Sequence, residues 1–193
     1  MMTIFQLIML AAAAFFAYQV YIHIQNIDEE SKPAFLQDSE EVEPVPDFDE
    51  MIRLADEAFV DGQIDIAQKR LEEIVMRFPQ AAEGMNKLAF VLSKQGDTAG
   101  AEKYYKASLE IEEDDVTYNA LATLLVSMNK MQEAEACYKK AVDIDGNYEV
   151  TWFNYANLML RLERLEEAKE MYEKALVIDP DFQEAKDELE KLK

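Results

Sequence analysis

The sequence predicts an all-α chain: four stacked helix-turn-helix repeats closed by a C-terminal capping helix, preceded by one transmembrane helix and a disordered acidic linker. Three observations predict it. Alanine recurs at Ala67, Ala101, Ala134 and Ala168 with gaps of 34, 33 and 34 residues, and a second series, Ala55, Ala89, Ala122 and Ala156, keeps the same gaps. Two small-residue positions locked at one period are the signature of repeats that stack. Inside the units apolar residues recur at three- and four-residue steps, as in Tyr118, Leu121, Ala122 and Leu125, which is helical periodicity. Near the amino terminus no charged residue interrupts the run from Ile4 to Ile24.

Residues 1–27 are expected to form a transmembrane anchor. A run of about 21 residues rises roughly 31 Å as a helix, enough to cross the hydrocarbon core of a bilayer. Tyr18 and Tyr21 fall near its carboxyl end, where amphipathic rings favour the interface. Gln6, Gln19 and His23 lie toward the two ends. The rival reading is a cleaved signal peptide, with Ala11 to Ala14 as the cleavage region. Such a peptide usually opens on positive charge, and only Met1, Met2 and Thr3 come first. The first cation after the segment is Lys32, so the rule that Lys and Arg stay inside favours repeats in the cytoplasm over repeats in the periplasm. Ala13 and Ala17 have the small-xxx-small spacing of helix dimers. Alanine as simple apolar filler is the favoured account of them, and nothing else points to a homo-oligomer.

Residues 28–47 form the predicted linker. Asp28-Glu29-Glu30 opens it, Glu40-Glu41-Val42-Glu43 continues it, and Pro33, Pro44 and Pro46 interrupt any helix. High charge with few large apolar residues favours disorder, and about 20 such residues span roughly 25 Å on average. The stretch reads chiefly as a spacer, with Phe35-Leu36 and Val45-Pro46-Asp47-Phe48 as possible recognition segments. The whole chain carries a net charge of −21, and residues 28–50 hold one lysine against ten acids. Such a chain repels nucleic acid and anionic headgroups, so no nucleic-acid partner is expected.

The repeats fill residues 48–182 as four units, 48–81, 82–114, 115–148 and 149–182. Each is two helical segments around a break, at Asp61-Gly62, Gln95-Gly96-Asp97, Asn129-Lys130 and Glu163-Arg164. The chain passes between units at Phe78-Pro79, Glu113-Asp114, Asp145-Gly146 and Asp179-Pro180. Gly, Asn and Asp suit tight turns after helices, and Pro cannot continue one. Residues 183–193 read as a polar helix capping the last unit, as the end of a stack requires.

The pattern resembles the tetratricopeptide repeat (TPR) family. In the fourth unit Trp152, Tyr155, Ala156, Met159, Ala168, Tyr172, Ala175 and Pro180 stand at repeat positions 4, 7, 8, 11, 20, 24, 27 and 32. The third unit places Gly146 where the proline would be. The second is one residue short and has Ser108 at position 27. The first, with Met51, Leu54, Ala55, Ala58, Ala67, Leu71, Ile74 and Pro79, departs furthest. The resemblance implies a right-handed solenoid. In it alanines at positions 8 and 20 let the helices of a hairpin approach, and large residues at 4, 7, 11 and 24 fill the spaces between hairpins.

The family resemblance also implies a binding groove lined by the first helices, at repeat positions 5, 9, 12 and 13. Here these are Asn86, Phe90 and Lys94 in the second unit, Asn119, Thr123 and Ser127 in the third, and Phe153, Asn157, Leu160 and Arg161 in the fourth. Asparagines suit the backbone of an extended peptide, Lys94 and Arg161 suit acidic groups, and the two phenylalanines suit apolar anchors unless the next repeat covers them. Some family members hold chaperone tails with a Lys and Asn carboxylate clamp. Ile52 and Asp56 stand at those positions of the first unit, so the clamp is not reproduced.

No catalytic constellation accompanies the repeats. The one histidine, His23, lies in the apolar segment, and there is no CxxC, phosphate-binding glycine loop or dinucleotide fingerprint. Asp143-Ile144-Asp145-Gly146 lacks the ligand spacing of a calcium loop and reads as a helix end. Cys137, the single cysteine, reads as a small buried side chain, not a reactive thiol. No cofactor, metal or enzymatic activity is expected. The layout resembles bacterial single-span inner-membrane TPR proteins and, in architecture, anchored mitochondrial TPR receptors. The expected function is a membrane-anchored adaptor that binds a protein or peptide in its concave groove. The alternatives are a periplasmic assembly or chaperone-like factor for envelope proteins, and a non-catalytic subunit of a membrane enzyme.

Overall fold

The computed structural model describes residues 47–192. The predicted transmembrane segment and all of the predicted linker except Asp47 lie outside the described residues. Among the described residues there are nine helices and no strand: α1 Phe48–Val60, α2 Ile64–Arg77, α3 Ala82–Gln95, α4 Thr98–Ile111, α5 Asp115–Ser127, α6 Met131–Ile144, α7 Glu149–Arg161, α8 Leu165–Ile178 and α9 Gln183–Lys191. None of these is long and apolar enough to cross a membrane.

Each helix of a hairpin has 13 or 14 residues, a length that is marginal in water without tertiary contacts. Three begin on an aspartate whose carboxylate accepts a backbone N–H from the first turn: Asp47 from Glu50 at 2.9 Å, Asp97 from Gly100 at 2.9 Å and Asp114 from Thr117 at 2.7 Å. Such caps satisfy N–H groups that the helix itself cannot. Asp47, the last residue of the predicted linker, is thus the start signal of α1.

Every hairpin turns through one residue in the left-handed region: Gly62 (φ 75°), Gly96 (φ 86°), Asn129 (φ 60°) and Glu163 (φ 61°). All four occupy repeat position 15. Glycine adopts this conformation without steric cost and asparagine at modest cost, whereas glutamate pays for its Cβ.

Both alanine series are buried, as are Leu71, Tyr105, Tyr138 and Tyr172 at position 24. The packing runs within hairpins, α1 on α2, α3 on α4, α5 on α6 and α7 on α8, and then from each second helix to the next first helix. Neighbouring hairpins meet through positions 27 and 3, where side-chain volumes are exchanged. Ile74 faces Gly84, and the equivalent pairs are Ser108 with Thr117, Ala141 with Thr151, and Ala175 with Ala185 of α9. At the first seam a large residue on one helix is matched by the smallest on the other, as close packing demands.

First helices also touch first helices, α3 with α5 and α5 with α7, while no two second helices come as close among the described residues. A stack that is tighter along one side curves toward that side. The first helices therefore line the inner, concave face.

Candidate functional site: the face of the first helices

Polar side chains bridge successive first helices. Lys87 on α3 pairs with Asp56 on α1 at 2.9 Å. Asn86 donates its amide N–H to Thr117 Oγ1 on α5. Asn154 on α7 donates to Asn119 Oδ1 on α5 at 3.2 Å. A second set of bonds runs within hairpins, from the position-24 tyrosine to position 9. The Tyr172 hydroxyl donates to Asn157 Oδ1 at 2.5 Å. The Tyr138 hydroxyl lies 3.0 Å from Thr123 Oγ1, which itself donates to the Asn119 carbonyl. Burial pushes the Tyr138 phenol up to about 12, and that of Tyr172 upward as well, so both are neutral donors at physiological pH.

This geometry sorts the predicted groove residues. Asn86, Asn119 and Asn157 each spend one end of the amide inside the fold, and the other end has no hydrogen-bond partner among the described residues. Thr123 is exposed, but its hydroxyl is engaged by Tyr138 and the Asn119 carbonyl. The two phenylalanines differ. Phe153 is half-buried, with Tyr172 at 5.6 Å and Phe182 at 5.1 Å between ring centroids, so it packs into the last hairpin and the turn before α9. Phe90 is 39 % exposed, leans on Phe59 at 5.3 Å, and has Lys94 Nζ 5.0 Å above its ring. Leu160 is half-buried, while Ser127 and Arg161 are exposed.

Sequence reasoning missed Phe59, Lys87, Thr117 and Asn154. Phe59 stands at position 12 of the first unit, where the pattern is hardest to follow. Lys87 and Asn154 stand at position 6, next to the lining position 5 and directed at the neighbouring first helix. The first-unit departures from a carboxylate clamp are concrete: Ile52 is buried and Asp56 is engaged by Lys87.

Elsewhere the polar chemistry serves structure. Glu102 binds Lys106 and, in the next hairpin, Lys130, both at 2.7 Å; Glu135 repeats this with Lys139 at 2.7 Å and Arg164 at 2.8 Å. These hydrogen-bonded cations hold both carboxyls below the usual range. Cys137 is half-buried, and burial pushes its thiol up, away from the reactive thiolate. Asp145 caps the end of α6, with its carboxylate accepting from the Asn147 N–H at 2.8 Å. Among the described residues no group of three or more His, Cys, Asp or Glu side chains is placed to hold a metal.

Helical hairpins of this length, stacked through small residues with an inner layer of first helices, define a helical-repeat solenoid. The chain belongs to the tetratricopeptide repeat family, whose profile matches residues 80–147 and 113–181. It is 28 % identical over 130 residues to the human mitochondrial import receptor subunit TOM70, a match that covers 57 % of this chain and 21 % of that protein. The chain thus spans about a fifth of that relative's length. Among solved structures it is similar to Pseudomonas aeruginosa pilF, with a TM-score of 0.70, 21 % identity, and coverage of 75 % of this chain and 67 % of that one. It is also similar to the first TPR of Spaghetti (RPAP3) bound to the HSP90 peptide SRMEEVD, with a TM-score of 0.56, 26 % identity, and coverage of 58 % and 90 %.

Proposed function

We propose that the chain is a membrane-anchored TPR adaptor that holds a protein or peptide in its concave groove and carries out no reaction itself. The observation that supports it is the row of half-satisfied amides. Asn86, Asn119 and Asn157 each make one internal hydrogen bond and leave the other end of the amide without a hydrogen-bond partner among the described residues. Donors and acceptors carried on the first helices of three successive repeats suit the backbone of an extended chain. The similar import receptor subunit and the peptide-bound TPR point the same way. Chaperone tails are not the proposed ligand, because Ile52 and Asp56 replace the clamp.

The anchor is assigned to residues 1–27 on the uncharged run from Ile4 to Ile24, in a bacterial inner membrane with the repeats in the cytoplasm. Protease protection in intact cells locates the repeats directly. Digestion from the outer side would sink the cytoplasmic placement.

The groove is tested by affinity capture with the full chain in mild detergent. Asn119→Ala with Asn157→Ala is expected to lose the stoichiometric partner while keeping the helical circular-dichroism signal. Tyr172→Phe removes the same internal bond from Asn157 but keeps its amide, and is expected to retain capture. Undiminished capture by the double variant would rule out the concave face.

A further inference from the structure

The capping helix is the first half of a fifth unit. Counted on from Phe182, α9 places Ala185 at repeat position 3, Leu189 at 7, Glu190 at 8 and Leu192 at 10. Ala185 is buried, as Gly84, Thr117 and Thr151 are at the same position, so α9 docks in the register of a first helix. In the second, third and fourth units positions 7, 8 and 10 are all buried. In α9, which no second helix follows among the described residues, Leu189 and Leu192 are half-buried and Glu190 is exposed. Between α8 and α9 lies a recess of 550 Å³, with Lys169, Glu173, Leu176, Leu189, Glu190 and Leu192 in its wall. A helix that only closes a stack presents a polar outer face. This end keeps three leucines around an open space.

Inside the stack the equivalent space is filled by an α-helix. α6 and α8 each pack on their own first helix and reach back to the second helix before it. The reach is made at the start of the helix, by Lys130 to Glu102 at 2.7 Å and by Arg164 to Glu135 at 2.8 Å. Both glutamates stand at position 21, and both are followed by a lysine at position 25, Lys106 or Lys139. In α8 the two signs are exchanged: position 21 is Lys169 and position 25 is Glu173. Lys169 pairs with Glu166 of its own helix at 3.0 Å, and that glutamate is 87 % exposed.

We infer that the recess between α8 and α9 takes a single amphipathic helix from another protein, its apolar face on the three leucines, an acid in its first turn against Lys169 and a basic residue further on against Glu173 and Glu190. Acids are favoured in the first turn of a helix, where the internal helices carry a cation instead. The recess is built from positions outside the groove and does not depend on the groove reading. The chain's own hairpins do not suit it. A second helix brings its first helix with it, into the space that α9 fills, and α6 or α8 would set Lys130 or Arg164 against Lys169. Glu190 stands where Ala89, Ala122 and Ala156 let helices cross closely, so it too turns away a further repeat of this pattern.

The test is selection of displayed helices of about 15 residues, a length that begins to hold as a helix in water, on the full chain in mild detergent. The expected consensus carries Asp or Glu in the first turn and Lys or Arg beyond it, on one face with Leu, Ile or Met. A synthetic consensus helix is expected to bind roughly tenfold more weakly to Lys169→Glu and to Leu189→Ser, with the helical circular-dichroism signal of both variants kept. The same helix with its first-turn acid changed to Lys is expected to regain affinity for Lys169→Glu. Asn119→Ala with Asn157→Ala is expected to bind it as the parent does. No enrichment, a consensus without a first-turn acid, or binding that Lys169→Glu leaves intact overturns the inference. So does binding lost only in the asparagine variant, which would place the helix in the groove. Sedimentation of the full chain runs alongside. Self-association abolished by Lys169→Glu would make the occupant a second copy and the assignment to another protein wrong.

Discussion

A Cβ on Gly84 would stand 2.8 Å from Cγ2 of Ile74. The two residues sit at the seam between the first and second hairpins, both buried. Real Cβ contacts do not come this close, and a buried β-branched side chain has little freedom to turn away. At the same two repeat positions the next seams carry Ser108 and Thr117, then Ala141 and Thr151, all buried. Gly84→Thr is therefore expected to destabilise the domain by about 1–3 kcal/mol through overpacking, and Ile74→Ala by about 2–5 kcal/mol through a cavity. Combined, they recreate the seam of the third and fourth hairpins, so the double variant is expected to be more stable than the sum of the single losses. Thermal melts of the four proteins check this. Strict additivity would mean that the two side chains do not share the space.

Glu163 holds the left-handed turn position that glycine fills in the first two hairpins, with φ at 61°. A side chain there costs about 1 kcal/mol or more. Glu163→Gly is expected to raise the melting temperature, and Asn129→Gly to do so by less, because asparagine tolerates this region. A lower melting temperature for Glu163→Gly would show that the glutamate side chain makes a compensating interaction.

The position-24 tyrosines set the alkaline limit of the fold. Burial pushes Tyr105 and Tyr138 from the ordinary 10.0 up to about 12, and Tyr172 upward too. A folded value above the unfolded one stabilises fully below the unfolded pKa. That stabilisation is lost as pH rises, here from 10.0 to about 12. Phenolate absorbance should therefore reveal a late-ionising group among the 9 tyrosines, rising together with loss of the helical signal. Full ionisation near pH 10 with the helices intact would contradict this burial.

The hairpins were legible because packing imposes a period. Ala67 and its equivalents must be small wherever two helices cross closely, and Gly62, Gly96 and Asn129 mark turns by their own conformational preference. The groove was less legible because a side chain's availability depends on its partners. Thr123 and Asn157 look alike as lining residues, yet the hydroxyl of one is used up while the amide of the other keeps an open end. Phe90 and Phe153 share the lining and differ in cover, because Phe182 arrives from the turn before α9 only in the last unit. Phe59 was hidden by the irregular first unit. The seam volumes at positions 27 and 3 vary from repeat to repeat, so no single-position rule exposes them.

Glu102 and Glu135 are the carboxylates that tie one hairpin to the next, with side chains only 14 % and 18 % exposed. Each holds a cation of its own helix, Lys106 or Lys139, and one from the turn of the following unit, Lys130 or Arg164. Both carboxyls are held below 4.5 by these hydrogen-bonded cations. A depressed folded pKa contributes stability that is complete above the unfolded value and is lost as pH falls through the folded one. Acidification below about pH 4.5 is therefore expected to loosen the seams between the second and third and between the third and fourth hairpins. Glu102→Gln with Glu135→Gln is expected to lower stability at neutral pH by roughly 1–2 kcal/mol per site and to flatten the acid dependence, so that its melting curves converge on those of the parent at low pH. High salt is expected to narrow the difference only slightly, since both carboxylates are largely shielded from solvent. Parallel acid profiles for parent and double variant would assign the acid sensitivity to other carboxylates and leave these two ties without a share in the stability of the stack.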